Sequence, residues 1–172
     1  VHPAKLAAGL ARVAEGRGVR ILEHSPVVAI DKEASGLRLR SPGGTLRAAR
    51  VVLAINAYSH HLAPQLARRF LPLYDYVIAS EPLTAAQRAA IRWRGREGVT
   101  DCRSFFNYSR LTADYRVVWG SSEAVYYRGN GVGPQFDHAP AVYTALEASF
   151  ARFFPALAGV RFPFRRGGPT AA

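Results

Sequence analysis

The run Arg50–Ile55, "RVVLAI", restricts the fold more than any other stretch of this sequence. Successive side chains of a strand point to opposite faces, so Val51, Leu53 and Ile55 would line one side and Val52 and Ala54 the other. A strand apolar on both sides is stable only where both sides are covered, as in sheets flanked by helices. The run therefore predicts a buried strand over Val51–Ile55 and, with it, a mixed α/β chain. It passes at once into Asn56, Ala57 and Tyr58. Ligands of open α/β sheets sit at the carboxyl ends of strands. Small residues such as Ala54 and Ala57 let a flat molecule approach the backbone there, and Asn56 supplies donors and acceptors. The same spacing also permits a tight turn into a helix over Tyr58–Leu66, capped by Asn56 or Ser59.

The segments around this run alternate between helix and strand signals. Leu6, Leu10, Val13 and Ala14 share one helical face, Pro3 stands in the first turn and Gly18 where a helix would stop. Two short β runs follow, Val19–Glu23 and Val27–Lys32, broken at Ser25-Pro26. "GLRLRS" and "TLRA" flank the turn "PGG" and predict a half-exposed hairpin. Beyond Leu71 the pattern changes. Tyr74–Ser80 alternates, Thr84 and Gln87 have the spacing of a capping box, and Phe105–Leu111 and Arg116–Gly120 flank the turn "TADY". These runs predict an antiparallel sheet. Val142, Leu146, Phe150 and Phe153 recur at helical spacing before Pro155, "VRFPFRRGG" returns as a strand, and Gly129–Pro134 reads as a mobile loop.

Composition narrows the function classes. Half of the 172 residues are apolar, enough for a core, and no stretch has the length and apolarity of a membrane span. The net charge of +11 raises nucleic acid as a partner, yet the basic residues are spread along the chain with no cluster longer than a pair, which favours an Arg-rich solvated surface. A cytoplasmic location is expected. Cys102 has no histidine near it in sequence to activate the thiol and reads as structural. His60 and His61 are adjacent, so their side chains diverge, and no further ligand lies at metal spacing; no metal site is expected. Tyr108 and Arg110 lie two apart on one strand and face the same way, either toward a substrate, where a guanidinium suits a carboxylate, or simply toward solvent.

"VHPAKLAAGLARVAEGRGVRILEHSPVVAID", the hairpin with "ARVVLAINAYS", "LPLYDYVIASEPL", "DCRSFFNYSRLTADYRVVWGS" and "FPFRRGGPTAA" follow one another in the order and spacing of a known family. The chain resembles the central part of the FAD-dependent amino-acid and amine oxidases of the D-amino-acid oxidase superfamily, in the branch with gamma-glutamylputrescine oxidase and sarcosine-oxidase-like enzymes. The resemblance implies part of an FAD-binding doubly wound domain over residues 1–72, with the hairpin inserted. It also implies a mostly antiparallel substrate domain over 73–164 and the start of a return to the FAD-binding domain over 165–172. It places Val27 beside the adenine, although a core valine would look the same, and Ala54, Asn56 and Ala57 along the flavin or its phosphates. Gly167 and Gly168 lie on the flavin side, and Tyr108 and Arg110 are the substrate candidates.

The implied activity is oxidation of the C–N bond of a small amine or amino acid by hydride transfer to FAD. The glycine-rich fingerprint that holds the pyrophosphate is absent, and Arg166 stands where similar proteins often have a tryptophan before the paired glycines. Both termini are expected to be internal to a longer protein, and this stretch by itself is expected to be inactive and to retain no FAD. The alternatives are a cofactor-free binding module and, behind it, a basic nucleic-acid-binding domain.

Overall fold

The computed structural model describes residues 2–172, apart from the side chains of Ser121 and Ser122. The chain divides into two compact units, one ending at Leu53 and one spanning Ala54–Ala172.

In the first unit, helix α1 (Pro3–Gly16) starts with proline in its first turn and His2 as cap, whose Nδ1 accepts from the Lys5 N–H at 3.3 Å. Gly18, at φ 86°, turns the chain out of the helix. Strands β1 (Ala29–Glu33), β2 (Gly36–Ser41) and β3 (Gly44–Ala48) form an antiparallel sheet in that order, with the expected hairpin between β2 and β3. Gly36, at φ 141°, has a positional reason: a Cβ there would run into the Ala48 carbonyl. Arg40 reaches Asp31 at 3.0 Å and Arg47 reaches Glu33 at 2.9 Å across the strands.

Three expectations fail in this part of the chain. Val19–Glu23 forms no strand, and the second β run begins at Ala29 rather than Val27, although the Val28 N–H still donates to the Arg40 carbonyl. Val51–Ile55 is not a buried strand: it joins no ladder, and Val52 is 88% exposed. A strand exists only by virtue of its neighbours. Among the described residues this run has no ladder partner, and the three-stranded sheet ends at β1 and β3.

The second unit opens with a 3-10 turn at Asn56–Tyr58, a four-residue helix α2 (Ser59–Leu62) and another 3-10 turn at Pro64–Arg68. The expected helix over Tyr58–Leu66 is therefore broken at Pro64, which cannot donate to a preceding carbonyl. Neither Asn56 nor Ser59 caps it through a side-chain bond to the backbone N–H groups. Next come β4 (Pro72–Ala79), helix α3 (Ala85–Ile91), β5 (Val99–Thr100), β6 (Asn107–Leu111), β7 (Val117–Val125), helix α4 (Pro140–Phe153) and β8 (Phe164–Ala171). The five strands form one antiparallel sheet in the order β5-β6-β7-β4-β8. The mixed architecture of helices with an antiparallel sheet is thus the one the sequence predicts, and β4, β6 and β7 pair as expected. Thr84 and Gln87 close the capping box of α3 in both directions.

The core lies under α4. Tyr74, Tyr76 and Ile78 of β4 and Val117 and Trp119 of β7 are buried in one cluster with Tyr143, Leu146 and Phe150 of α4. Each such apolar side chain contributes roughly 1.5–3 kcal/mol by leaving water. Trp119 Nε1–H donates to Ser149 Oγ at 2.9 Å, so the indole is buried without an orphaned donor. The loop Gly129–Pro134 is pinned rather than mobile. The Tyr74 hydroxyl donates to the Gly133 carbonyl at 3.1 Å and accepts from its N–H at 2.9 Å, and Val132 is buried.

Candidate functional site

Alternation along the strands sends two sets of side chains to opposite sides of the sheet. Asn107, Ser109 and Leu111 of β6 are buried, whereas Tyr108 and Arg110 are only partly so. On β4, Tyr74, Tyr76 and Ile78 are buried, and Leu73, Asp75, Val77 and Ala79 lie on the other, half-exposed face. Cross-strand pairing extends that face: Tyr108 stands opposite Gly120, Gly120 opposite Val77, Val77 opposite Arg166, and Asp75 opposite Gly168. Tyr108 and Arg110 of β6 and Arg166 and Gly168 of β8 therefore share a face with Asp75 of β4.

Asp75 was not a sequence candidate. Its Oδ2 accepts from the Tyr108 hydroxyl at 2.7 Å, and its Oδ1 is buried without a partner. Burial pushes the Asp75 pKa above its ordinary value, against the opposing effect of the hydrogen bonds from Tyr108 and the Tyr76 N–H. Burial and then the Asp75 carboxylate push the Tyr108 pKa up as well. Its only sequence signal is position: "YDY" puts an aspartate on the face of β4 opposite two core tyrosines.

The remaining candidates are scattered by comparison. Gly167 is buried against the Tyr76 ring, where a Cβ would collide with it; a Cβ on Gly168 would meet nothing. Asn56, at φ 49°, is exposed, and its Oδ1 accepts from the Ala171 N–H at 2.8 Å, which holds it against the end of β8. Ala54 is exposed, and Ala57 is fully buried in the core behind Asn56. Val27 lies in the first unit, half-buried in an extended segment before β1. Cys102 is exposed rather than packed, so a structural role is not what its environment provides. Among the described residues no group of three or more His, Cys, Asp or Glu could hold a metal ion. No helix among them is long and apolar enough to cross a membrane.

On the α4 side, a cleft of about 710 Å³ is lined by residues including Arg103, Phe105, Glu123, Tyr126 and Arg152. Arg103 is held by Asp101 at 2.8 Å. Hydrogen bonds from Arg103 and Asn107 keep that carboxyl well below the usual carboxylate range. This is the chemistry of a braced loop rather than of a reactive centre.

A family model described as FAD dependent oxidoreductase matches residues 1–171. The probable oxidoreductase OrdL of Rhizobium meliloti (strain 1021) is 27% identical over 168 residues, which cover 98% of this chain and 36% of that protein. The gamma-glutamylputrescine oxidoreductase of Escherichia coli (strain K12) is 31% identical over 169 residues, 98% of this chain and 37% of that protein. The chain thus spans about a third of the length of these curated relatives. Among solved structures, L-proline dehydrogenase from P. horikoshii superposes with a TM-score of 0.75 at 17% identity, over 98% of this chain and 43% of that one. Glycine oxidase from Geobacillus kaustophilus does so with a TM-score of 0.68 at 20% identity, over 96% and 41%. At these identities the likeness is one of fold.

Proposed function

Because the chain belongs to the FAD dependent oxidoreductase family, we propose that it works as part of a longer flavoprotein that oxidises the C–N bond of a small amine or amino acid. The family match over residues 1–171 carries this reading. In it, residues 1–72 contribute to the cofactor domain, 73–164 form the substrate domain and 165–172 lead back. FAD, when bound, supplies the hydride acceptor for that oxidation.

The residues present fit the ring end of such a cofactor. Gly168 leaves open space on the half-exposed face where any other residue would put a side chain, so a flat ring system can approach the backbone there. Gly167 keeps β8 close to Tyr76. Ala54 and Asn56 are exposed, and Asn56 is fixed by Ala171 with its amide nitrogen left to donate; Ala57 supports them from the core. Val27 would contribute backbone groups to the adenine. The phosphate end is different, since a glycine-rich strand-turn-helix that would point backbone N–H groups at an anion is not among these 172 residues. On the substrate side, Tyr108 and Arg110 face the reacting molecule, and the guanidinium suits a carboxylate.

Two measurements test this reading. The 172-residue chain should purify colourless and take up no stoichiometric FAD from solution; a yellow protein would mean that phosphate anchoring is not needed. The flavoprotein containing it should release hydrogen peroxide or reduce a dye acceptor with some member of a panel of amino acids and polyamine derivatives. A flavin-loaded protein inert toward all of them would overturn the proposal.

A further inference from the structure

Three strands each give one residue to a single contact on the half-exposed face. Tyr108 on β6 crosses β7 at Gly120 and donates its hydroxyl proton to Asp75 Oδ2 on β4, 2.7 Å away. The crossing depends on a glycine, because a Cβ at residue 120 would run into Cζ and Oη of the tyrosine. Asp75 in turn faces an irregularity in β7: from Tyr74 to Tyr76 the strand β4 advances two residues while β7 covers four, Val125 back to Ser121. Bulges of this kind re-aim side chains and recur beside reactive sites. Asp75 Oδ1 is left without a partner, and among the described residues the carboxylate's hydrogen bond to a side chain is the one to Tyr108.

A phenol has one proton and two lone pairs. Once the proton is given to a carboxylate, the oxygen can meet a further group only as an acceptor. We propose that Asp75 is a positioning residue that fixes Tyr108 Oη as the acceptor for an N–H of the substrate amine. The inference rests on the amine-oxidising reading above and assigns it a recognition element. Amines that carry an N–H toward this face are favoured, and groups offering only acceptors, such as a carboxylate, are excluded from it.

The test is steady-state kinetics of the flavoprotein with its amine substrate, beside a tyrosine absorbance titration of the 172-residue chain. Tyr108→Phe should raise KM about tenfold with kcat unchanged, the loss of one hydrogen bond to a charged donor. Asp75→Leu should raise KM similarly by freeing the hydroxyl, whereas Asp75→Asn, whose amide oxygen still accepts, should restore it. The double variant Tyr108→Phe with Asp75→Leu should be no worse than Tyr108→Phe alone. In the titration, Asp75→Asn should move one tyrosine to lower pH, and Tyr108→Phe should abolish that shift. Additive effects, or lower melting temperatures with KM unchanged, would make the contact structural and overturn the inference. So would an absent titration shift, whatever the activity. A wild-type flavoprotein that oxidises no amine would remove the functional reading itself, and this inference with it.

Discussion

Asp75 carries a burial penalty that titration can expose. Its folded pKa lies above the ordinary 3.8, chiefly because it is taken out of water. The folded protein therefore keeps a proton that the unfolded chain has already released, and stability falls as pH rises from about 4 through the folded value. Asparagine at this position cannot ionise. We expect urea-unfolding free energies of wild type and Asp75→Asn to diverge with rising pH across that window, the wild type losing ground; parallel curves would show that the carboxylate is not penalised. At this scale the sequence was half legible. That Tyr108 and Arg110 share one face of their strand was readable from alternation alone. Asp75 was not, because its partner is 33 residues away and an aspartate on the alternate face of a strand looks like ordinary solvent-facing polarity.

Among the elements, those whose partners lie close in sequence were legible in both pattern and pairing, and β4, whose partners lie far along the chain, was legible from its alternation. The hairpin β2–β3 is joined by a two-residue turn, and β6 and β7 by the short "TADY" turn, so local pattern and local pairing coincide. The capping box of α3 is wholly local as well, and it was read correctly. Val51–Ile55 shows the opposite case, since its pattern is apolar on both sides yet it pairs with no strand among the described residues. Gly129–Pro134 looked mobile by composition, yet the Tyr74 hydroxyl holds Gly133 by both its backbone groups. Tyr74→Phe should leave that buried N–H unpaired, the carbonyl keeping the Phe136 N–H at 3.0 Å, at a cost of about 1–3 kcal/mol. Chemical denaturation would measure the loss, and faster amide exchange confined to residues 129–134 would locate it. A variant as stable as wild type would mean that the loop is held by packing alone.

For the whole molecule, the apolar surface left open matters most. Leu6, Leu10 and Val13 of α1 are each more than half exposed, as are Leu22 and Val28 beyond it. The helix was read as having one apolar face, and that face exists without a core against it. Contiguous apolar surface of this kind drives association. The isolated chain should therefore bind a hydrophobic dye and sediment as a concentration-dependent mixture, and Leu10→Gln should weaken both. A monodisperse monomer at high concentration would count against this.

The start of β4 and the end of β8 are clasped at one corner of the sheet. Leu71 and Ala172 exchange backbone hydrogen bonds at 3.0 Å in both directions, and Asn56 grips Ala171 at 2.8 Å. A zipper with a stop at one end opens from the other: the ladder of β4 against β8 is pinned at Pro72 and Ala171, so fraying would begin at Ala79 and Phe164.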